Sequence, residues 1–223
     1  RSGRDYVNDT PVKSSSKLIK KGDIVRCTPV SKEEPPIDEN YRILYEDDHV
    51  MVVDKSGDIP VHPSGAYFNN TLLSLLERDE KSKLYMVHRL DRETSGVILF
   101  AKSSDAAMRY QKALENGQKV YTAIVYGTPP DIFECDTPLG NAYSDDDKRT
   151  DIVRKKRMAD IRFDETAFTG FKRIISFGKY SLVKAFPHTG RLHQIRVHLK
   201  FLGFPIVGDK MYGEDEKYFI SFV

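Results

Sequence analysis

Cysteine is nearly absent from this chain. Cys27 and Cys135 are the two in 223 residues, and they form no Cys-x-x-Cys pair. That excludes a disulfide framework and makes a reducing compartment the default, with the cytoplasm favoured and the nucleus or an organelle also compatible. Long apolar runs are missing as well. No stretch approaches the roughly 18 residues that a membrane-spanning helix needs. The opening RSGRDYVNDTPVKSSS has no apolar core of the kind a signal peptide carries. An excess of one charge is also lacking: 35 Lys and Arg face 33 Asp and Glu, a net +2 that neither requires nor forbids nucleic acid. SGDIPVHPSG has neither the glycine spacing nor the Lys-Ser/Thr of a phosphate loop, and no serine-elbow motif exists. His88, His188, His193 and His198 could in principle hold a metal. However, His193 and His198 stand five residues apart, about 140° around a helix, without an acidic residue at ligand spacing. No metal site is expected.

What is present suits a soluble domain: 39% hydrophobic and 11% aromatic residues can build a core, and 30% are charged. The charge is unevenly placed. Basic clusters occur at Lys17, Lys20 and Lys21, at Arg154 to Arg157, and among Lys184, Arg191, Arg196 and Lys200, partly balanced by the acidic run at 144–147. Local patches of this kind attract phosphate even when the total charge is near zero. Solvated loops with no partner explain the 154–157 run equally well.

Residues 1–30 read as a small β-containing piece and the charged, proline-bearing 31–40 as a linker. The main domain, 41–223, opens with a hairpin signal, RILYE and HVMVVDK around Asp47-Asp48. Asn70 or Thr71 can cap a helix over NNTLLSLLERD, and VILFAK (97–102) is a strand by composition. Ser103 or Ser104 starts the clearest helix, which Gly117 can end in the left-handed conformation. KVYTAIVYG, FKRIISF and YSLVKAFP are strands, and 129–158 an irregular, exposed excursion. RLHQIRVHLKFLG predicts a final helix with Leu192, Ile195, Leu199 and Leu202 as its apolar stripe. Adjacent strand pairs outnumber helices, which indicates a mixed, largely antiparallel α+β domain with flanking helices.

Three segments join charge to apolar scaffolding: HRLDRETSG, KVYTAIVYG and HTGRLHQIRVHL. In the first, Asp91 has Arg89 and Arg92 as neighbours. Opposite charge nearby favours an ionised acid, and an ionised acid kept from bulk water can act as nucleophile or base. Spacing alone favours the plainer alternative, a turn cap or a structural pair with Arg92. On a helix, His193, Arg196 and Lys200 share a face, with Arg196 placed to reach inward toward an acid and Arg191 at the helix start suited to phosphate. An ordinary basic amphipathic helix fits that spacing equally.

HRLDRETSGVILFAK resembles the signature of the RluA-type pseudouridine synthases, in which H-R-L-D-x-x-T-S-G contains the catalytic aspartate. Further elements follow in order. EDDHVMVVDKSGDIPVHP is similar to the family's opening segment, with Lys55-Ser56 in place of its usual lysine-proline. KVYTAIVYG matches K-x-Y-x-A-x-V-x-G, HTGRLHQIRVHL matches G-R-x-H-Q-I-R-x-H, and GFPIVGDKMYG matches G-x-P-I-x-G-D-x-x-Y-G. The first 30 residues resemble the back half of a small RNA-binding domain that many of these enzymes carry. The resemblance implies a catalytic domain with a central RNA-binding cleft that isomerises uridine in RNA to pseudouridine without a cofactor. It implies Asp91 as nucleophile on either the ribose or the uracil ring, and Arg196 as its partner. Tyr121 would stack on the base and take the carbon-5 proton. Arg89 would fill the space of a flipped nucleotide, and His88 and Arg92 would serve local structure or phosphate contact. Arg191 and Lys200 would contact phosphate. The expected substrate is tRNA rather than rRNA and the expected state a monomer. A non-catalytic RNA-binding homologue and a glycosidic-bond hydrolase are the rivals.

Overall fold

Within VILFA, the apolar tail of the charged cluster, Val97 is exposed but 98–101 are covered on both faces, which is why they read as a continuous apolar run rather than an alternating one. In the computed structural model VILFA is part of a four-stranded sheet. Residues 5–12, 17–27, 33–143 and 156–214 are described; the acidic run at 144–147 and Arg154 and Lys155 of the basic run lie outside them. In chain order, β1 (Asp5–Val7), β2 (Thr10–Val12) and β3 (Val25–Cys27) make a small separate sheet. The first large sheet has the order β4 (Tyr41–Glu46), β5 (Val50–Lys55), β7 (Gly96–Ala101), β6 (Tyr85–Met86). Ile98 and Phe100 of β7 join Met51 and Val53 against α1 (Leu72–Glu80), while Leu99 and Ala101 face α2 (Ser104–Glu115). Asp47 fixes the β4–β5 turn by accepting the His49 and Val50 amides.

Thr71 and Ser103 cap α1 and α2, each accepting an amide three residues on. Gly117 does not take the left-handed conformation expected of it. Helix α2 ends at Glu115 with Asn116 still right-handed, and the Gly117 amide returns to the Leu114 carbonyl. The segment 33–40 is tied to the body: Glu34 accepts the amides of Phe68, Asn69 and Asn70, and Ser56 Oγ donates to the Asp38 carbonyl.

The second large sheet has the order β8 (Tyr121–Tyr126), β13 (Tyr180–Pro187), β12 (Thr169–Phe177), β9 (Ile132–Cys135). Its inner face, with Val125, Val183, Ala185 and Phe171, packs on Leu199 and Ile195 of α3 (Gln194–Phe201). The described residues of 129–158 are more regular than the charge of that region suggested, since they supply β9, β10 (Leu139–Asn141) and the start of β11 (Arg157–Ala159). These short strands are stabilised by pairing with β12 and with each other, a tertiary gain that a local pattern does not show. Every strand pairing among the described residues is antiparallel. Among the described residues no helix is long and apolar enough to cross a membrane.

Candidate active site

Asp91 sits where β5 and β7 converge. Lys55, the last residue of β5, pairs with Gly96, the first of β7. Between them the Asp91 carbonyl accepts the Thr94 amide, closing a turn, and Gly96 leaves that turn at φ +120°, a backbone state that favours glycine. Lys55 is buried, with 1% of its surface exposed, and its ammonium donates to the carbonyls of Ser56, Ile59 and Arg92, each at 2.8 Å. The Arg92 carbonyl also accepts the Asp58 amide. The acid is thus held from the residue that follows it.

The partner comes from the other half of the chain. Arg196 Nη1 donates to Asp91 Oδ2 at 2.8 Å across 105 positions. The same guanidinium grips Asp209 with two bonds, Nε to Oδ2 at 2.7 Å and Nη2 to Oδ1 at 2.9 Å. Asp209 in turn accepts the Met211 and Tyr212 amides. Burial opposes charge on Arg196, but the bonds and charges of Asp209 and Asp91 outweigh it and raise the guanidinium's pKa. Burial likewise works against the Asp209 carboxylate, and Arg196 with the two amides lowers its pKa overall. A bidentate Arg–carboxylate fork of this kind fixes direction as well as charge.

Helix α3 begins later than its pattern suggested. His193 adopts the left-handed conformation, φ 57°, so the helix starts at Gln194. Gln194 and His198 are buried and anchor α3 to β12: Gln194 Nε2 donates to the Phe168 carbonyl and Thr169 Oγ1, and His198 Nδ1 lies 3.0 Å from the same hydroxyl. The fully buried face of α3 is therefore Gln194, Val197, His198 and Leu199, with Ile195 and Leu202 partly buried beside it and Leu192 ahead of the helix. The face shared by His193, Arg196 and Lys200 is met by one turn: His193 touches Tyr212, Arg196 holds Asp209, and Lys200 donates to the Gly213 carbonyl. Asp209, Tyr212 and Lys55 are the residues that sequence reasoning missed. The GFPIVGDKMYG and HVMVVDKSG motifs contained them, but nothing in the spacing said what they would face.

Tyr121 opens β8 and packs against the cores of both large sheets. Burial first, and then the charge of Asp91, pushes its phenol pKa up. The hydroxyl has no hydrogen-bond partner among the described residues. His193 Nε2 lies 3.8 Å from Asp91 Oδ2, and burial drives this imidazole down to about 4 against the pull of Asp91. Arg89 is exposed, and among the described residues it joins no ion pair. Arg92 is half-buried and turns to Asp58, 3.3 Å, and Glu93, 3.2 Å, with Tyr67 also in reach. His88 is committed locally, its Nε2 accepting the Leu99 amide at 3.1 Å, and burial lowers its pKa. Arg191 donates to the Thr166 carbonyl and lies 3.7 Å from Glu165. The structure thus brings Asp91, Arg196 and Tyr121 together and spreads the cations around them.

A family model described as RNA pseudouridylate synthase matches residues 49–201. The chain is 37% identical over 220 residues to Pseudouridylate synthase RPUSD2 of Homo sapiens, covering 95% of this chain and 38% of the relative. It is 36% identical over 218 residues to the mitochondrial tRNA pseudouridine(32) synthase of Saccharomyces cerevisiae, covering 96% and 46%. It therefore spans less than half the length of either curated relative. Among solved structures, Human RNA Pseudouridylate Synthase Domain Containing 4 superposes with a TM-score of 0.60 at 29% identity, over 77% of this chain and 69% of that one.

Proposed function

The chain belongs to the RluA-type RNA pseudouridylate synthase family, and from that premise we propose that it isomerises uridine in RNA to pseudouridine. The observation that carries this is the Asp91–Arg196 pair, joined at 2.8 Å beside Tyr121. Asp91 acts as nucleophile, on the ribose anomeric carbon or on carbon 6 of the uracil. The glycosidic bond breaks, the base turns, and it rejoins the ribose through carbon 5. Atoms are neither added nor removed, so the chemistry calls for no cofactor. Arg196 orients the acid. Tyr121 stacks on the base, and because its phenol is pushed toward the protonated form, stacking fits the resting site better than proton abstraction does.

A uridine in a stem must leave the helix before Asp91 can reach it, at a cost of a few kcal/mol that contacts to RNA offset. Arg89, exposed and next to the acid's turn, is the side chain to enter the vacated space, since a guanidinium plane stacks on bases of any sequence. Arg92, Arg191 and Lys200 contact phosphate by exchanging their present partners, and the sheet of residues 5–27 adds a small RNA-binding appendage. We take tRNA rather than rRNA as the substrate, in keeping with the name of the yeast relative, and a monomer as the working state.

Asp91→Asn tests the assignment. With RNA tritiated at carbon 5 of uridine, the wild-type chain releases tritium and the variant does not, while fold and RNA affinity stay near wild type. Release at the wild-type rate by Asp91→Asn would remove Asp91 from the chemistry. Free uracil in the wild-type reaction would point to a hydrolase instead.

A further inference from the structure

Both donors that face Asp91 are held by the turn at 208–213. Arg196 Nη1 and His193 Nε2 approach the same oxygen, Asp91 Oδ2, at 2.8 and 3.8 Å. Among the described residues no donor reaches Oδ1. Each donor is gripped from behind by a side chain of the turn: Asp209 takes the other two nitrogens of Arg196, and Tyr212 takes the other nitrogen of His193.

The second grip also sets a proton. The Tyr212 oxygen accepts the Arg157 amide at 2.8 Å and lies 2.8 Å from His193 Nδ1. Tyr212 is 4% exposed, so its own proton must be donated inside the protein. Left unmade, that bond would leave a buried donor with no partner, the arrangement folded proteins avoid. Among the described residues, His193 Nδ1 is the remaining acceptor on the hydroxyl. Nδ1 therefore accepts, and the proton of the neutral imidazole sits on Nε2, pointing at Asp91. The Tyr212 ring also lies under the Arg196 guanidinium, 5.0 Å from centroid to Cζ, so one side chain supports both donors.

We infer that Asp209 and Tyr212 are positioning residues. They lock Arg196 onto Oδ2 of Asp91, hold the Nε2–H form of His193 facing the same oxygen, and thereby present Oδ1 to the nucleotide. This rests on the isomerase reading for its consequence, turnover, but not for its geometry. Neither residue touches substrate. Both act by keeping the carboxylate from rotating, and a displacement of the reacting atom by about 1 Å can cost on the order of a hundredfold in rate.

The test uses the whole chain labelled with ¹⁵N-histidine, with the His193 signals assigned by their loss in His193→Gln. Long-range ¹⁵N–¹H correlation should show the Nε2–H form in the wild type and a mixture of forms in Tyr212→Phe. Tyr212→Phe should lower kcat about tenfold with KM within about twofold and an unchanged far-UV spectrum. Asp209→Asn should cost as much by itself and less than twofold more when added to Arg196→Lys, because the two residues act as one unit. An Nδ1–H form in the wild type, wild-type turnover in Tyr212→Phe, or multiplicative losses in the Asp209–Arg196 pair would each overturn the inference. A wild-type chain with the Nε2–H form but no tritium release would sink the isomerase reading and leave the geometry standing.

Discussion

Replacing Lys55 by methionine keeps the length of a buried side chain and deletes its three hydrogen bonds. Two opposing magnitudes decide the outcome. Bonds from a charged donor are each worth about 1.5–3 kcal/mol, and the ammonium makes three at 2.8 Å. Burial, opposed by Asp58 and Asp91, lowers its pKa from 10.5 to about 8, a penalty of about 3 kcal/mol that methionine escapes. The Arg92 carbonyl retains the Asp58 amide, whereas the contact to the Ile59 carbonyl is fully buried. The balance leaves Lys55→Met less stable by about 2–4 kcal/mol near neutral pH. The pH dependence has a definite sign. A folded pKa below the unfolded one means the unfolded chain binds more protons between pH 8 and 10.5. Wild-type stability therefore gains from this group as pH rises through that window, by about 3 kcal/mol at most, and the gap to the variant widens. Urea unfolding followed by circular dichroism at about pH 7 and about pH 9.5, with the m-value checked for constancy, reads both effects. A gap under about 1 kcal/mol at neutral pH, or one that closes as pH rises, would refute the account of how the acid's turn is held.

Two further outcomes follow from the site. Arg89→Ala should slow turnover on a stem-borne uridine more than on a flexible single strand, because only the stem needs its vacated space filled; equal losses on both would argue against that role. The His193 imidazole, driven down to about 4 by burial against the attraction of Asp91, should make acid destabilising. Its folded pKa lies below the ordinary 6.5, so its contribution is intact above that value and is lost as pH falls toward 4, by about 3 kcal/mol at most. His193→Gln should flatten that limb in thermal melts, and an unaltered limb would place the acid sensitivity elsewhere.

Much of this architecture could be read from local pattern because local physics decides it. Thr71 and Ser103 cap helices wherever a chain places them before an apolar period, and ILFA has no option but burial. The strands at 132–135, 139–141 and 157–159 could not be read, because they are made by partners far along the chain. Gly117 shows the opposite limit: a glycine after a helix permits a left-handed cap without requiring it. At the site, Asp91 was visible as a charged residue in apolar company. Its neighbours in sequence, Arg89 and Arg92, suggested the wrong source for the partner that geometry makes plain. One points to solvent and the other turns to Asp58 and Glu93, while the guanidinium on Asp91 arrives from 105 positions away. Helical spacing put Arg196 where it could reach an acid but did not say which acid; the ordered motifs did, without saying why. Asp209 and Tyr212 passed unremarked for the same reason, since each matters through a residue it holds.

The pair of Asp91 and Arg196 joins two pieces of chain that each have a core of their own, with Tyr121 wedged into both. Neither piece contains a working site. The first owns an acid with nothing to aim it, and the second owns a clamp with nothing to grip except Asp209. The Asp91–Arg196 pair is therefore a property of the junction rather than of either partner. On the role proposed for Asp91, the nucleophile gains its aiming partner only when the two halves have met.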